Sequence, residues 1–158
     1  MAAEYSCAFG ISSPIPGIKT GDQIASLNDG FSIMTLNGKG GIIFWFLIQK
    51  LDKKYFYPNV PRFTQADAVA SCEKVRDTKV WNEITFGDIW DNSDVASMTA
   101  LDEYILRTWT VGRIVCIGDS VHKVGFPLIP PLGARYVLLT TFYVPDGAQP
   151  RPGSKPGC

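Results

Sequence analysis

Polar and apolar positions take turns from Glu4 to Ile11 (Glu-Tyr-Ser-Cys-Ala-Phe-Gly-Ile). That is the two-residue period of a strand whose side chains point to opposite faces. Ser12-Ser13-Pro14-Ile15-Pro16-Gly17 breaks the run, since proline fixes φ and removes a donor. Lys19 to Asn28 reads as a polar connector with no clear period. Phe31 to Leu36 predicts a second strand, and Asn37-Gly38 with Gly40-Gly41 leads into Ile42 to Leu51. Asn-Gly between apolar runs predicts a hairpin closed by a tight primed turn. In its second arm Phe44 and Phe46 share one face, Trp45 and Leu47 the other. Both faces are apolar, so this strand is expected to be covered on both sides, by the core on one and by a helix, a ligand or a missing partner on the other.

Further on, Thr64 with Asp67 three residues later has the spacing of a capping box and predicts a helix. Ala66, Val69, Ala70 and Glu73 fall along one side of it; Val69, Cys72 and Val75-Arg76 mark an adjoining one. Trp81 to Trp90 reads as a short helix or irregular turn, Val95 to Leu101 alternates as a strand, and Asp102 to Trp109 reads as a polar turn. Arg113 to Ile117 is an apolar β-branched run that stops at Gly118-Asp119. It predicts a buried central strand ending in a carboxylate, at the sheet edge where open α/β folds bind ligands. After Lys123 the character changes: seven of the eleven prolines lie there. Tyr136 to Val144 is a possible strand, and Asp146 to Cys158 is expected to be disordered.

Composition narrows the function. The chain has 158 residues, the length of one domain, and a formal net charge of zero with no basic block. That argues against a nucleic-acid surface, which needs clustered Lys and Arg. The longest apolar run, Ile42 to Ile48, is far short of the roughly 20 residues of a membrane helix, and no signal peptide is expected. Four scattered cysteines and one histidine offer no paired ligands for zinc, so no metal is expected. A reducing cytosol without disulfides fits them.

Candidate chemistry is sparse. Asp119 could accept hydrogen bonds from a polyol, such as a cofactor ribityl or ribose, or it could cap a following helix; the local sequence leaves both open. His122 could act as a general base, although a lone histidine with no Ser, Cys or Asp constellation nearby is more often structural. Trp45, Trp81, Trp90 and Trp109 could wall an apolar cavity, as could ordinary packing use them. Gly38-x-Gly40-Gly41 fails as a dinucleotide fingerprint, because Ile43 holds the third glycine position and a strand follows.

The stretch Arg113-Ile-Val-Cys-Ile-Gly-Asp-Ser-Val-His-Lys123 resembles the second flavin-binding motif of the group A FAD-dependent monooxygenases, the para-hydroxybenzoate hydroxylase fold. The branch it is most similar to epoxidises prenyl chains in fungal indole-diterpene and meroterpenoid pathways. Glu4-Tyr-Ser-Cys-Ala-Phe-Gly-Ile-Ser12, Gly38-Lys-Gly-Gly41 before Phe44-Trp45-Phe46, Tyr57-Pro58, Pro61-Arg62-Phe63, Thr85-Phe-Gly-Asp-Ile-Trp90 and Val95-Ala-Ser-Met-Thr99 agree with it in order and spacing. The resemblance runs from about Glu4 to Lys123.

What the resemblance implies is specific. Gly118-Asp119 would be the pair whose carboxylate binds the FAD ribityl chain, and Tyr5 would occupy the place of an active-site tyrosine. The hairpin and its aromatic strand would roof the substrate pocket. NADPH would reduce the FAD, and oxygen would be transferred to a small apolar, terpenoid-like substrate. The fold would be α+β: a largely antiparallel substrate-domain sheet plus a partial α/β FAD-binding unit. Residues 1–110 would form the sheet region with one helix, 111–124 the partial FAD-binding strand with its Gly-Asp motif, and 125–158 a divergent Pro-rich tail. The location would be cytoplasmic, with any membrane association left to parts outside this chain.

Two departures stand out. The family's N-terminal Gly-x-Gly-x-x-Gly unit, which holds the ADP half of FAD at a helix N-terminus, has no counterpart here. Val124-Gly125-Phe126-Pro127 stands where the family has Pro-x-x-Gly-Gln-Gly. The chain therefore reads as a fragment, from a truncated gene or a reading frame that runs through a splice junction after Lys123. The alternative function is a non-catalytic remnant that binds an apolar ligand or a partner protein.

Overall fold

The computed structural model describes residues 1–123; the proline-rich tail, with its expected strand and disordered end, lies outside them. Strands β1 (Ala2–Ser12), β2 (Gln23–Asn28), β3 (Phe31–Asn37), β4 (Ile43–Phe56), β7 (Ser93–Ile105) and β10 (His122–Lys123) form one sheet in the order β10-β7-β1-β4-β3-β2. All neighbours are antiparallel. Between β4 and β7 come helix α1 (Gln65–Lys74), the short hairpin β5 (Lys79–Trp81) and β6 (Ile84–Thr85), and helix α2 (Phe86–Trp90). A second small hairpin, β8 (Thr110–Val111) and β9 (Ile114–Val115), precedes β10. The architecture is α+β and largely antiparallel.

The helices cover one face of the sheet. Both start at a complete capping box: Thr64 accepts from the Asp67 amide and Asp67 accepts from the Thr64 amide, and Thr85 and Asp88 repeat the exchange. Each box satisfies two backbone donors that a helix start leaves orphaned. Ala68, Cys72 and Val75 then face inward, joined by Phe86 and Ile89 of α2. Opposite them lie Ala8, Ile33, Trp45 and Leu47 of the sheet. Trp45 is wholly buried, edge-on to Phe86 and Trp90 at 5.4 and 5.7 Å. Its Nε1–H donates to Ser12 Oγ (3.0 Å), which donates to the Ile89 carbonyl (2.7 Å), so the indole's one polar atom is satisfied in the core. Gly87 lets α2 seat closely: a Cβ there would come within 2.8 Å of Arg76 Cγ and 3.1 Å of the Arg76 carbonyl.

Several expectations are corrected. The connector holds an edge strand, β2, hidden because Ile24 and Ala25 are both buried and break the alternation. Asn37-Gly38 is no tight primed turn. Asn37 pairs with Ile43, its buried side chain donates to the Asp22 carbonyl, and the positive φ values fall at Gly40 and Gly41 in a longer loop. The helix's Ala66-Val69-Ala70 side faces solvent, and its buried stripe is Ala68, Cys72 and Val75. Asp102 to Ile105 continues β7, because β1 supplies partners for Asp102 and Glu103.

The largest correction concerns Arg113 to Ile117. It is not a buried central strand but one arm of the exposed β8–β9 hairpin, with Ile114, Val115 and Ile117 at 69%, 63% and 75% exposure. No sheet neighbour other than β8 pairs with it among the described residues, so an α/β unit is not seen. Among the same residues no helix is long and apolar enough to cross a membrane.

Candidate functional site

The second face of the sheet carries an apolar groove of about 510 Å³, the size of a small-molecule pocket. Strand register builds it. Cys7 pairs with Ile48 and Thr99, Phe9 with Phe46, and Phe46 in turn with Met34. Alternation therefore puts these residues, with Leu36 and Leu101, on one surface. Among the described residues no helix covers this face of β4: Phe9 and Phe44 are each 40% exposed. Contiguous apolar surface left open to solvent marks a binding face. A second cleft of about 460 Å³ runs along Tyr57–Phe63 and meets the groove at Thr99 and Asp102.

Asp119 stands at the groove's mouth with Asp102 and Lys123. A single 3-10 turn, Gly118–Ser120, carries it. Gly118 has φ +64°, a left-handed conformation that glycine adopts without strain. Ser120 Oγ donates to the Ile117 carbonyl (2.7 Å), and the Val121 amide donates to the Gly118 carbonyl (3.1 Å). The Asp119 main-chain carbonyl accepts from the Tyr104 hydroxyl at 2.7 Å. Its carboxylate has no ion-pair or hydrogen-bond partner among the described residues. Asp119 caps no helix, since a strand, β10, comes next.

The other candidates separate. Tyr5 follows a bulge in β1 and pairs with Lys50 and Leu101; it is half-buried on the groove's face, beside the lining residues rather than among them. His122 is exposed on β10, with its ring 6.2 Å from that of Trp109. Trp45 and Trp90 belong to the helix-covered core, so the tryptophans do not wall the groove. Cys7 does line it, and burial pushes its thiol up to about 12, which keeps it a protonated, inert wall. Among the described residues no three His, Cys, Asp or Glu side chains gather as a metal site. Met34, Leu36, Thr99, Leu101 and Lys123 were not singled out from sequence. The β3–β4 pairing could have found Met34 and Leu36; the others need the β1–β7 register and the return of β10.

Over 123 residues, 78% of this chain, the sequence is 54% identical to the protein named FAD-dependent monooxygenase atmM of Aspergillus flavus. It is 50% identical, over the same share, to those named janM of Penicillium janthinellum and paxM of Penicillium paxilli. The match covers 26% of each of those proteins, so the chain spans about a quarter of the length of the curated relatives it matches. No family model matches the chain. No solved structure matches it.

Proposed function

Because this chain is, over its matched residues, a relative of the FAD-dependent monooxygenases, we propose that its groove and Asp119 turn serve FAD-dependent oxygen transfer to an apolar, terpenoid-like substrate. The carrying observation is the unpartnered Asp119 carboxylate at the mouth of an apolar groove. An unpaired carboxylate is an acceptor-only group that suits the hydroxyls of a ribityl chain. The residues fit that part of FAD: Asp119 would hold the polyol, with Gly118 giving the backbone its turn. When bound, the flavin supplies the oxygen-transfer chemistry, with NADPH as reductant. The chain's own residues orient and exclude: Phe9, Phe46 and Leu101 keep water off an apolar substrate, while Tyr5, on the same face of the sheet, would act as the active-site tyrosine. Epoxidation or hydroxylation of a prenylated or terpenoid intermediate is the reaction class in fungal secondary metabolism.

The purified full chain, titrated with FAD, is expected to quench flavin fluorescence, and Asp119→Asn to weaken binding about tenfold, the scale of a lost charge-assisted bond. No uptake of flavin by wild type would overturn this reading. A second reading is favoured by one observation: the groove's wall among the described residues is mostly apolar, from Cys7, Phe9, Met34, Leu36, Phe46, Ile48 and Leu101. On that reading the chain is a non-catalytic binder of an apolar ligand, and it would enhance an apolar dye's fluorescence without retaining flavin or oxidising NADPH.

A further inference from the structure

We propose that Tyr104 is a positioning residue that latches the Asp119 turn to the substrate-side sheet; its role toward a cofactor rests on the reading of Asp119 above. From Arg107 to Ser120 every residue is exposed, so the segment has little packing of its own to fix it. Three attachments bring it back. The Tyr104 hydroxyl donates to the Asp119 carbonyl at 2.7 Å. The Leu106 amide donates to the Val121 carbonyl at 2.7 Å, and β10 pairs with β7 through His122–Ile105 and Lys123–Tyr104. Val121, 1% exposed, is the only fully buried side chain of the return.

Of these, the Tyr104 bond alone reaches Asp119, a residue that lines the groove. It takes the main-chain carbonyl and leaves the carboxylate open. Tyr104 also belongs to the strand that brings Thr99 and Leu101 to the groove wall. One strand thus sets both the wall and the distance from that wall to the carboxylate. Misplacing such a group by about 1 Å is enough to lose binding and rate.

Tyr104→Phe removes the hydroxyl and keeps the ring. Amide hydrogen exchange on the full chain, without flavin, should quicken about fivefold across residues 117–121, the size of one net hydrogen bond, with the melting temperature of the sheet unchanged. FAD titration should show about fivefold weaker binding for Tyr104→Phe. The double variant with Asp119→Asn should bind no worse than Asp119→Asn alone, since coupled residues are not additive. Unchanged exchange in the turn overturns the latch whether or not flavin binds. Faster exchange with wild-type flavin affinity overturns the positioning role while leaving Asp119's intact. Wild type that takes up no flavin defeats the cofactor reading instead, and the exchange result then decides the latch by itself.

Discussion

Ile43 to Ile48 and Ile114 to Ile117 are both short, apolar and β-rich, yet the fold treats them oppositely. In the first, Ile43, Trp45 and Leu47 have no exposure at all. In the second, Ile114, Val115 and Ile117 are mostly in solvent. Composition does not separate them. Partners do: β4 lies between β1 and β3 with two helices over one face, whereas β9 has only the two-residue β8. An apolar run states that a strand tolerates burial. It does not state that anything will bury it.

The sharpest test of the contrast removes the centre of the first region. Trp45→Ala should cost about 3–5 kcal/mol, the range for a buried aromatic truncated in a packed core, read from denaturant unfolding. It also strands Ser12 without its donor. A cost under 1 kcal/mol would mean the core does not close around this residue.

A smaller effect tests the helix cover. Thr85→Ala breaks the box that starts α2, the helix carrying Phe86 and Ile89 onto Trp45, and should cost about 1 kcal/mol. The same boxes predict a pH response. Backbone and side-chain hydrogen bonds from Thr64 hold Asp67 below its ordinary 3.8, and those from Thr85 do the same for Asp88. A depressed carboxylate contributes stability above its unfolded value and loses it as pH falls through the folded one. Stability should therefore decline below about pH 4, and less steeply in Thr85→Ala. Equal slopes would leave the Thr85 backbone amide, and not its hydroxyl, as what holds Asp88 low.

The smallest effect belongs to the second region. Ile117→Ser should change unfolding free energy by no more than about 0.5 kcal/mol, as for exposed sites generally. A loss of 2 kcal/mol would put Ile117 in a core and erase the contrast.

Much of the frame was legible. Capping chemistry is local, so Thr64-x-x-Asp67 announced α1. The alternation of Glu4–Ile11 and Val95–Leu101 announced β1 and β7, and the parity of Phe44 through Leu47 assigned the two faces of β4 correctly. Gly118-Asp119 stood out as the end of the Arg113–Ile117 run, although the buried strand expected before it is an exposed hairpin arm. The failures have two causes. The length of the β3–β4 loop and the extension of β7 past Asp102 depend on hydrogen bonds to residues distant in sequence, and no local period reports those. The β2 strand pairs with its chain neighbour β3 across Asp29-Gly30; it was missed because its buried positions do not alternate.

The amino-acid sequence by itself determined β1, β3, β4 and β7 as strands, the start of α1, and the similarity to proteins named FAD-dependent monooxygenases, because propensity, capping and identity are read along the chain. Only the tertiary structure decided that Cys7, Phe9, Met34, Phe46 and Leu101 share one open face and that Asp119 stands at its mouth. Their meeting is a matter of strand order and register, and the contact that holds Asp119 there, Tyr104 to a backbone carbonyl fifteen residues away, requires no particular side chain at the accepting position.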